Sequence, residues 1–325
     1  MEYETAGDPI TGLKWTRKTT EKVAKELRSG GINITSKTVG RLLRKLNFSL
    51  RVNHKKVTNS NVSPDDRNQQ FEIIASLREE FANKGNPIIS VDAKKKEKIG
   101  NFKNEGSAWA HISKFFAVND HDFLTLAIGM ATPYGIIDLM LNKGWVFVGT
   151  TCDTAAFSTD SIERWWRIGA KKHYSNKRHL LILADAGGSN SCRTRAWKYH
   201  LQNKLCNRHG LIVTVAHYPP GCSKWNPADR RLFSWISQNW KGVPLRTYET
   251  VLKFIRTTKT KTGLRVKSYL VRKEYEKGEK ISDARMQELD LRPNKILPQS
   301  IFQSINESEE RVRGSSVSRF SASVH

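Results

Sequence analysis

The chain has 325 residues, room for about two domains. Its 38% apolar and 9% aromatic residues are enough to bury a substantial core, which excludes a wholly disordered protein. Lys and Arg number 55 against 31 acids, a formal net charge of +24 that calls for an acidic partner, of which nucleic acid is the usual one; nine Trp in so long a chain argue for an enzyme-sized fold over a histone-like protein.

Residues 1–13 are polar and punctuated by Gly and Pro. A helical period then begins at Thr19 or Thr20, the expected N-cap, with Val23, Ala24 and Leu27 on one face, and Gly30-Gly31 ends it. Ser36 is the expected cap of a second helix, whose Val39, Leu42, Leu43 and Leu46 recur at the helical period and which closes at Asn47-Phe48-Ser49. Two short helices joined by a Gly-containing turn predict a helix-turn-helix. Its second helix would expose Lys37, Arg41, Arg44 and Lys45 opposite the apolar face, as a helix entering the major groove does. A solvated basic face on an ordinary helical hairpin is the bland alternative. Residues 58–67 have the composition of a linker. Ser63-Pro64-Asp65-Asp66 opens a helix over about 64–84, proline suiting the first turn and the acids complementing the dipole.

From Pro87 the pattern becomes that of an α/β fold. Residues 88–92 form an apolar strand ending in Asp92, 97–103 a second strand, and 134–141 with 145–148 a third strand or a hairpin. A helix is expected at 157–168. Residues 180–185 repeat the apolar strand that ends in Asp. Gly187-Gly188-Ser189-Asn190 lacks the Lys-Ser/Thr of a phosphate-binding loop and predicts a tight turn, with Asn190 or Ser191 capping a helix at 191–207. A strand at 211–216 and a helix at about 227–240 follow. Residues 241–280 are basic and mixed, and the Ser-rich sequence beyond about 296 has no periodicity, which predicts disorder. Trp165, Trp166 and Trp225 are expected in the core, and His217 as a structural residue.

Cys152, Cys192, Cys206 and Cys222 stand far apart with no CxxC pair, as free thiols of a reducing compartment do. The start Met-Glu-Tyr-Glu-Thr has no leader pattern, and no stretch approaches 18 apolar residues, so neither a secretory signal nor a membrane span is expected.

Two strands ending in Asp92 and Asp185, followed by a helix with Asp229 near its start, carry the chemistry. Carboxylates gathered at strand ends repel each other and are tolerated where a divalent cation neutralises them. Two such ions, about 3.5–4 Å apart, activate an attacking oxygen and stabilise a leaving one in phosphoryl transfer. Taken singly, each acid fits a solvated strand end or helix start; together, on so basic a chain, they favour a metal site. Lys94-Lys95-Lys96 beside Asp92 fits a solvated charge run or a phosphate-steering element.

The run Ile89-Ser90-Val91-Asp92-Ala93-Lys94-Lys95-Lys96-Glu97, with Gly100-Asn101-Phe102-Lys103-Asn104, resembles the first catalytic block of ISAzo13-type insertion-sequence transposases. Asp153-Thr154-Ala155-Ala156-Phe157 with Arg164-Trp165-Trp166 is similar to the same family. So are Ala184-Asp185-Ala186-Gly187-Gly188-Ser189-Asn190, His217-Tyr218-Pro219-Pro220-Gly221 with Ser223-Lys224-Trp225-Asn226 and Arg231-Leu232-Phe233-Ser234, and Thr257 through Leu264. The resemblance covers about residues 1–295.

That resemblance implies an RNase H-like catalytic core with an N-terminal helix-turn-helix region. The expected division is 1–62 DNA-binding, 63–85 a helical connector, 86–245 the core, 246–295 a basic C-terminal extension and 296–325 a disordered tail. Asp92, Asp185 and Asp229 match the catalytic acids and would hold two Mg²⁺, with Mn²⁺ able to substitute. The third acid is usually Glu in the family, so Asp229, one methylene shorter, is a departure; Asn226-Pro227-Ala228-Asp229 resembles the mariner-like transposases, where that acid is Asp. Family members carry more sequence ahead of the helix pair, which implies a shortened copy. Expected partners are DNA, as element terminal repeats and target, bound by Lys37, Arg41, Arg44, Lys45, Lys94, Lys95 and Lys96, and further copies of the chain assembled on it. The expected location is the bacterial cytoplasm, on the nucleoid when bound. The implied activity is metal-dependent phosphodiester cleavage and strand transfer; the rivals are a nuclease on the same fold and an inactive remnant that only binds DNA.

Overall fold

A computed structural model describes residues 6–7, 14–15, 18–49, 63–111 and 116–305. The chain divides into two compact units, Met1–Asn59 and Ser60–His325.

In the first unit, β1 (Ala6–Gly7) pairs antiparallel with β2 (Lys14–Trp15), and two helices follow, α1 (Thr20–Ser29) and α2 (Ser36–Lys45). Thr19 caps α1 by accepting from the Lys22 amide, and Gly31, at φ +85°, supplies the left-handed turn beyond its end. The cap of α2 is Thr35 rather than Ser36: Thr35 is extended and its hydroxyl accepts from Thr38, while Ser36 is already helical. Val23, Ala24 and Val39 form a small core with Leu27, Ile34 and Leu43 packed on it. Leu42 and Leu46, expected on the same apolar stripe, are exposed. A single ten-residue partner covers only a narrow line of α2, so the stripe is wider than the contact.

In the second unit Ser63 caps α3 (Pro64–Asn83), with Pro in the first turn and Asp65 and Asp66 beside it. The strands are β3 (Ile88–Ala93), β4 (Glu97–Ile99), β5 (Gly129–Asp138), β6 (Lys143–Gly149), β7 (His179–Asp185), β8 (Ile212–Tyr218), β9 (Arg265–Val271), β10 (Leu291–Pro293) and β11 (Ile301–Ser304). They join in the order β10-β11-β8-β7-β3-β5-β6-β9, with β4 paired to β5 off this path. At the centre β3, β5 and β6 form an antiparallel meander, while β7 and β8 run parallel to β3 on its other side. This mixed five-stranded order, an antiparallel meander flanked by two parallel crossover strands, is the RNase H-like arrangement.

Strand alternation sorts the side chains into two layers. Ile89, Val91, Tyr134, Ile136, Trp145, Phe147, Leu180 and Ile182 face one layer, where α4 (Ala155–Trp165) and α5 (Arg195–Leu201) bury Phe157, Ile162, Trp165 and Trp197. Ile137, Val146 and Val148 face the other, covered by the wide helical turn Ala228–Phe233, α6 (Ser234–Asn239) and α7 (Tyr248–Thr257). Ile88, Leu181 and Leu183 share that side beneath Ile74 and Phe81 of α3. The segment 63–85, expected as a connector, is therefore part of the packed layer.

The core also extends beyond residue 245. In the segment expected as a basic extension, α7 packs on the sheet and β9 pairs parallel with β6 from Lys143↔Arg265 to Gly149↔Val271. In the expected disordered tail, β11 pairs antiparallel with β8, and Ile301 and Phe302 are buried. Four residues with one apolar pair carry no local signal; the open edge of β8 and the burial beneath it make the strand. Residues 306–325 lie outside the described residues.

Smaller differences have local causes. The strand expected at 97–103 stops at Ile99, because Gly100 adopts φ +151° with its Cα against the Phe102 ring. The helix expected from 191 begins at Arg195 behind Thr194, since residues 188–190 use their hydrogen bonds in a tight 3₁₀ turn. The four cysteines are free thiols. Among the described residues no helix is long and apolar enough to cross a membrane.

Candidate active site

Asp92 is the next-to-last residue of β3, and Asp185 is the last residue of β7. The two strands run parallel with Ile88 opposite Leu181 and Ser90 opposite Leu183. Continuing that register sets Asp92 level with Asp185. Both share the parity of Ser90, Leu181 and Leu183, so they belong to the sheet face on which the Ala228–Phe233 turn sits. Asp229 is the second residue of that turn and is exposed.

Glycine brings the third acid close. Gly135 lies opposite Asp92 in the β3–β5 ladder, and a methyl group on it would meet the Phe233 ring at 2.5 Å and Leu232 at 3.0 Å. The helical turn carrying Asp229 therefore lies directly on the backbone beside Asp92. Alanine there would lift it away.

Burial pushes the Asp92 carboxyl up to about 7, and the charge of Asp185 adds to the rise, with smaller contributions from Asp229 and Asp153. The Ala93 amide, donating to Asp92 Oδ1 at 2.8 Å, works in the opposite direction. Asp185 is raised by burial and by Asp229, and held back by a hydrogen bond from Asn226. Asp153 is raised by burial, opposed by Ser189 and Lys96, and its Oδ1 is buried with no hydrogen-bond partner.

Carboxylates that raise one another in this way are what a hard divalent cation stabilises, and an all-oxygen donor set fits Mg²⁺ or Mn²⁺. Among the described residues no three His, Cys, Asp or Glu side chains close around a point that could hold an ion.

Uncharged groups fasten the elements that carry the acids. Asn226 is fully buried. Its Nδ2 donates to the Val91 carbonyl and to Asp185 Oδ1, each at 3.1 Å, and its Oδ1 accepts from the Ser90 hydroxyl and from the Ala228 amide at 3.0 Å. Behind Asp185, the Tyr134 hydroxyl donates to Asn190 Oδ1 at 2.9 Å. His217 is buried, with Nε2 2.8 Å from the Asn190 carbonyl and Nδ1 2.9 Å from that of Ser300. Its position is structural, as expected, and burial lowers its pKa.

The basic candidates fall into three situations. Lys37, Arg41, Arg44 and Lys45 are exposed along α2 of the first unit. Lys94 is committed internally, paired with Glu97 and lying 5.0 Å from the centre of the Trp240 ring. Lys95 is exposed and Lys96 half-buried. Trp165 and Trp166 are buried as expected, but Trp225 is 54% exposed, edge-on to Phe71 at 5.8 Å. It sits on the short turn Ser223–Trp225, with the Lys224 ammonium 5.9 Å from the centre of its ring.

Sequence reasoning assigned no role to Ser90, Asp153 or Asn226. Asn before Pro at a helix start signals a cap, and Asp153 stood in a quoted motif. The contacts of Asn226 with β3 and β7 are long-range and leave no local trace.

A family profile described as Rhodopirellula transposase DDE domain matches residues 1–305. No curated protein matches the chain. Among solved structures, a Mos1 transposase paired-end complex with left transposon end is similar at 14% identity and a TM-score of 0.44, over 73% of this chain and 65% of that one. A Mos1 mariner paired end complex with Mn is similar at 15% identity and a TM-score of 0.45, over 73% and 65%. The chain thus spans about 65% of the length of these relatives.

Proposed function

The chain belongs to the Rhodopirellula transposase DDE-domain family, and from that premise we propose that it is the transposase of an insertion sequence, which binds the element's ends and catalyses phosphodiester cleavage and strand transfer. One observation supports the reading: Asp92 and Asp185 stand side by side on adjacent parallel strands of one sheet face, and the charges of Asp185 and Asp229 add to the rise of the Asp92 carboxyl. Asp92, Asp185 and Asp229 would hold two Mg²⁺, or Mn²⁺ in their place, which when bound activate an attacking oxygen and stabilise a departing one. To hold a cation Asp92 would have to be ionised and give up the proton that burial favours. The fully buried layers on both sides keep the strands that carry Asp92 and Asp185 rigid, which chemistry that depends on position requires.

The first unit, with Lys37, Arg41, Arg44 and Lys45 exposed on α2, would bind the terminal repeats, and Lys95 and Lys96 would steer phosphates toward the acids. Binding would weaken steeply with salt. The protein would work in the cytoplasm on nucleoid DNA, as an assembly of copies that brings two ends together.

A second reading, an inactive remnant that only binds DNA, is favoured by the exposure of Asp229 and its short side chain. The test incubates purified protein with supercoiled DNA carrying the flanking element ends, in Mg²⁺ or EDTA, beside Asp185→Ala and Asp229→Glu. Cleavage at the ends that needs metal and Asp185 is the expected result. Binding without cleavage, with activity appearing in Asp229→Glu, would instead select the remnant and locate its lesion. A pre-cleaved end that is never joined to target DNA would leave a nuclease.

A further inference from the structure

We propose that Asn226 is a positioning residue of the catalytic centre: its side-chain amide fixes the Asp185 carboxylate for metal binding and locks the turn bearing Asp229 onto the strand bearing Asp92. This rests on the metal-site reading above and assigns a second layer to it.

A primary amide offers two donors and one oxygen with two lone pairs, and Asn226 uses all four. Capping the Ala228–Phe233 turn requires only the bond from the Ala228 amide to Oδ1. The other three reach across the chain: to the Ser90 hydroxyl 136 positions away, to the Val91 carbonyl 135 positions away, and to Asp185 41 positions away. One buried side chain therefore touches all three acid-bearing elements. Ser90 strengthens the arrangement, because its Oγ also accepts from the Ala228 amide at 3.1 Å.

The chemistry is specific to an amide. A carboxylate at 226 would point an oxygen at Asp185 and at the Val91 carbonyl, and an apolar side chain would take this partner from the Ser90 hydroxyl, the Val91 carbonyl and Asp185. The bond to Asp185 Oδ1 restricts rotation of that carboxylate while adding no charge, so its negative charge stays available to a cation. Groups that orient a metal-binding carboxylate from behind typically change metal affinity or activity about 10–100-fold when removed.

The experiment uses the full chain and titrates it with Mn²⁺, following free Mn²⁺ by electron paramagnetic resonance. Wild type is compared with Asp185→Ala, Asn226→Ala and Asn226→Ser, with thermal melting in EDTA and binding to element-end DNA measured in parallel. Serine is a competent helix cap, so Asn226→Ser keeps the local role and loses the reach to Asp185. The expected result is that Asp185→Ala abolishes the specific site. Both Asn226 variants weaken Mn²⁺ binding about tenfold or more with DNA binding near normal; the Ser variant, which keeps the cap, melts above the Ala variant, and cleavage returns toward normal at high Mn²⁺. A Ser variant with wild-type affinity, or one that simply melts far below wild type, would overturn the proposal and leave Asn226 a structural cap. Mn²⁺ binding indifferent to Asp185→Ala would instead sink the metal-site reading, and the proposal with it.

Discussion

Asp138 and Asp92 lie on neighbouring strands, both are largely buried, and burial raises the pKa of both, yet their surroundings are opposite. Asp138 ends β5 at the far end of the sheet, paired with Ile89. Its carboxylate accepts the Tyr174 hydroxyl at 3.0 Å on both oxygens, and the Met140 and Leu141 amides at 3.0 Å, closing the β5–β6 turn. Asp92 accepts the Ala93 amide, and the charges that act on it are those of Asp185, Asp229 and Asp153. Burial alone therefore does not mark a functional acid. A buried carboxylate surrounded by donors fastens a turn; one surrounded by other carboxylates holds unfavourable energy that a cation can release.

Removing the two acids should have opposite effects on stability. Asp138→Ala leaves a buried hydroxyl and two backbone N–H groups without their acceptor and should cost about 3 kcal/mol in chemical denaturation. Metal-dependent cleavage by the molecules that remain folded should persist. An Asp138→Ala protein as stable as wild type would mean that this end of the sheet is as tolerant as the other.

The second effect concerns pH. Asp92 titrates near 3.8 when unfolded and at about 7 in the fold, so between those values the folded state keeps a proton that the unfolded chain has lost. Stability without metal therefore falls as pH rises through that window. Asp92→Asn should remove this share of the slope and make the metal-free protein more stable than wild type at pH 8, by about 2 kcal/mol, while abolishing cleavage. The Asp138 carboxyl, raised in the same sense, keeps its own share in that variant. Melting curves from pH 4 to 8 in EDTA measure both; a destabilised Asp92→Asn would break the contrast.

The smallest effect is Tyr174→Phe, which removes one donor from Asp138 and keeps the ring in its buried site. It should cost about 1 kcal/mol and leave Mn²⁺ binding unchanged. A change in Mn²⁺ affinity would show that the two ends of the sheet are coupled.

Much of this was legible locally. The strand end at Asp185, the strand end expected at Asp92 and found one residue later, the Thr19 cap, the helix start at Ser63-Pro64, the tight turn after Asp185 and the buried Trp165 follow from alternation, capping chemistry and apolar runs. Missed features share a cause. β9 and β11 exist because β6 and β8 offer them edges, and Trp225, expected in the core, meets only the edge of Phe71 and the Lys224 ammonium among the ring contacts of the described residues. The expectation that Lys94 contacts DNA met Glu97 and the Trp240 ring; no local pattern announces a ring at position 240.

The sequence by itself determined the central strands and most of the helices around them, because apolar runs and helix caps are set within a few residues of chain. It also determined that three carboxylates end or begin elements on a strongly basic chain. Only the tertiary structure decided that Gly135 admits Phe233 against the backbone beside Asp92. It alone turned the Asn226 amide toward Ser90, Val91 and Asp185. Such contacts depend on the close approach of segments between 41 and 136 positions apart in the chain, which packing imposes and local propensity does not record.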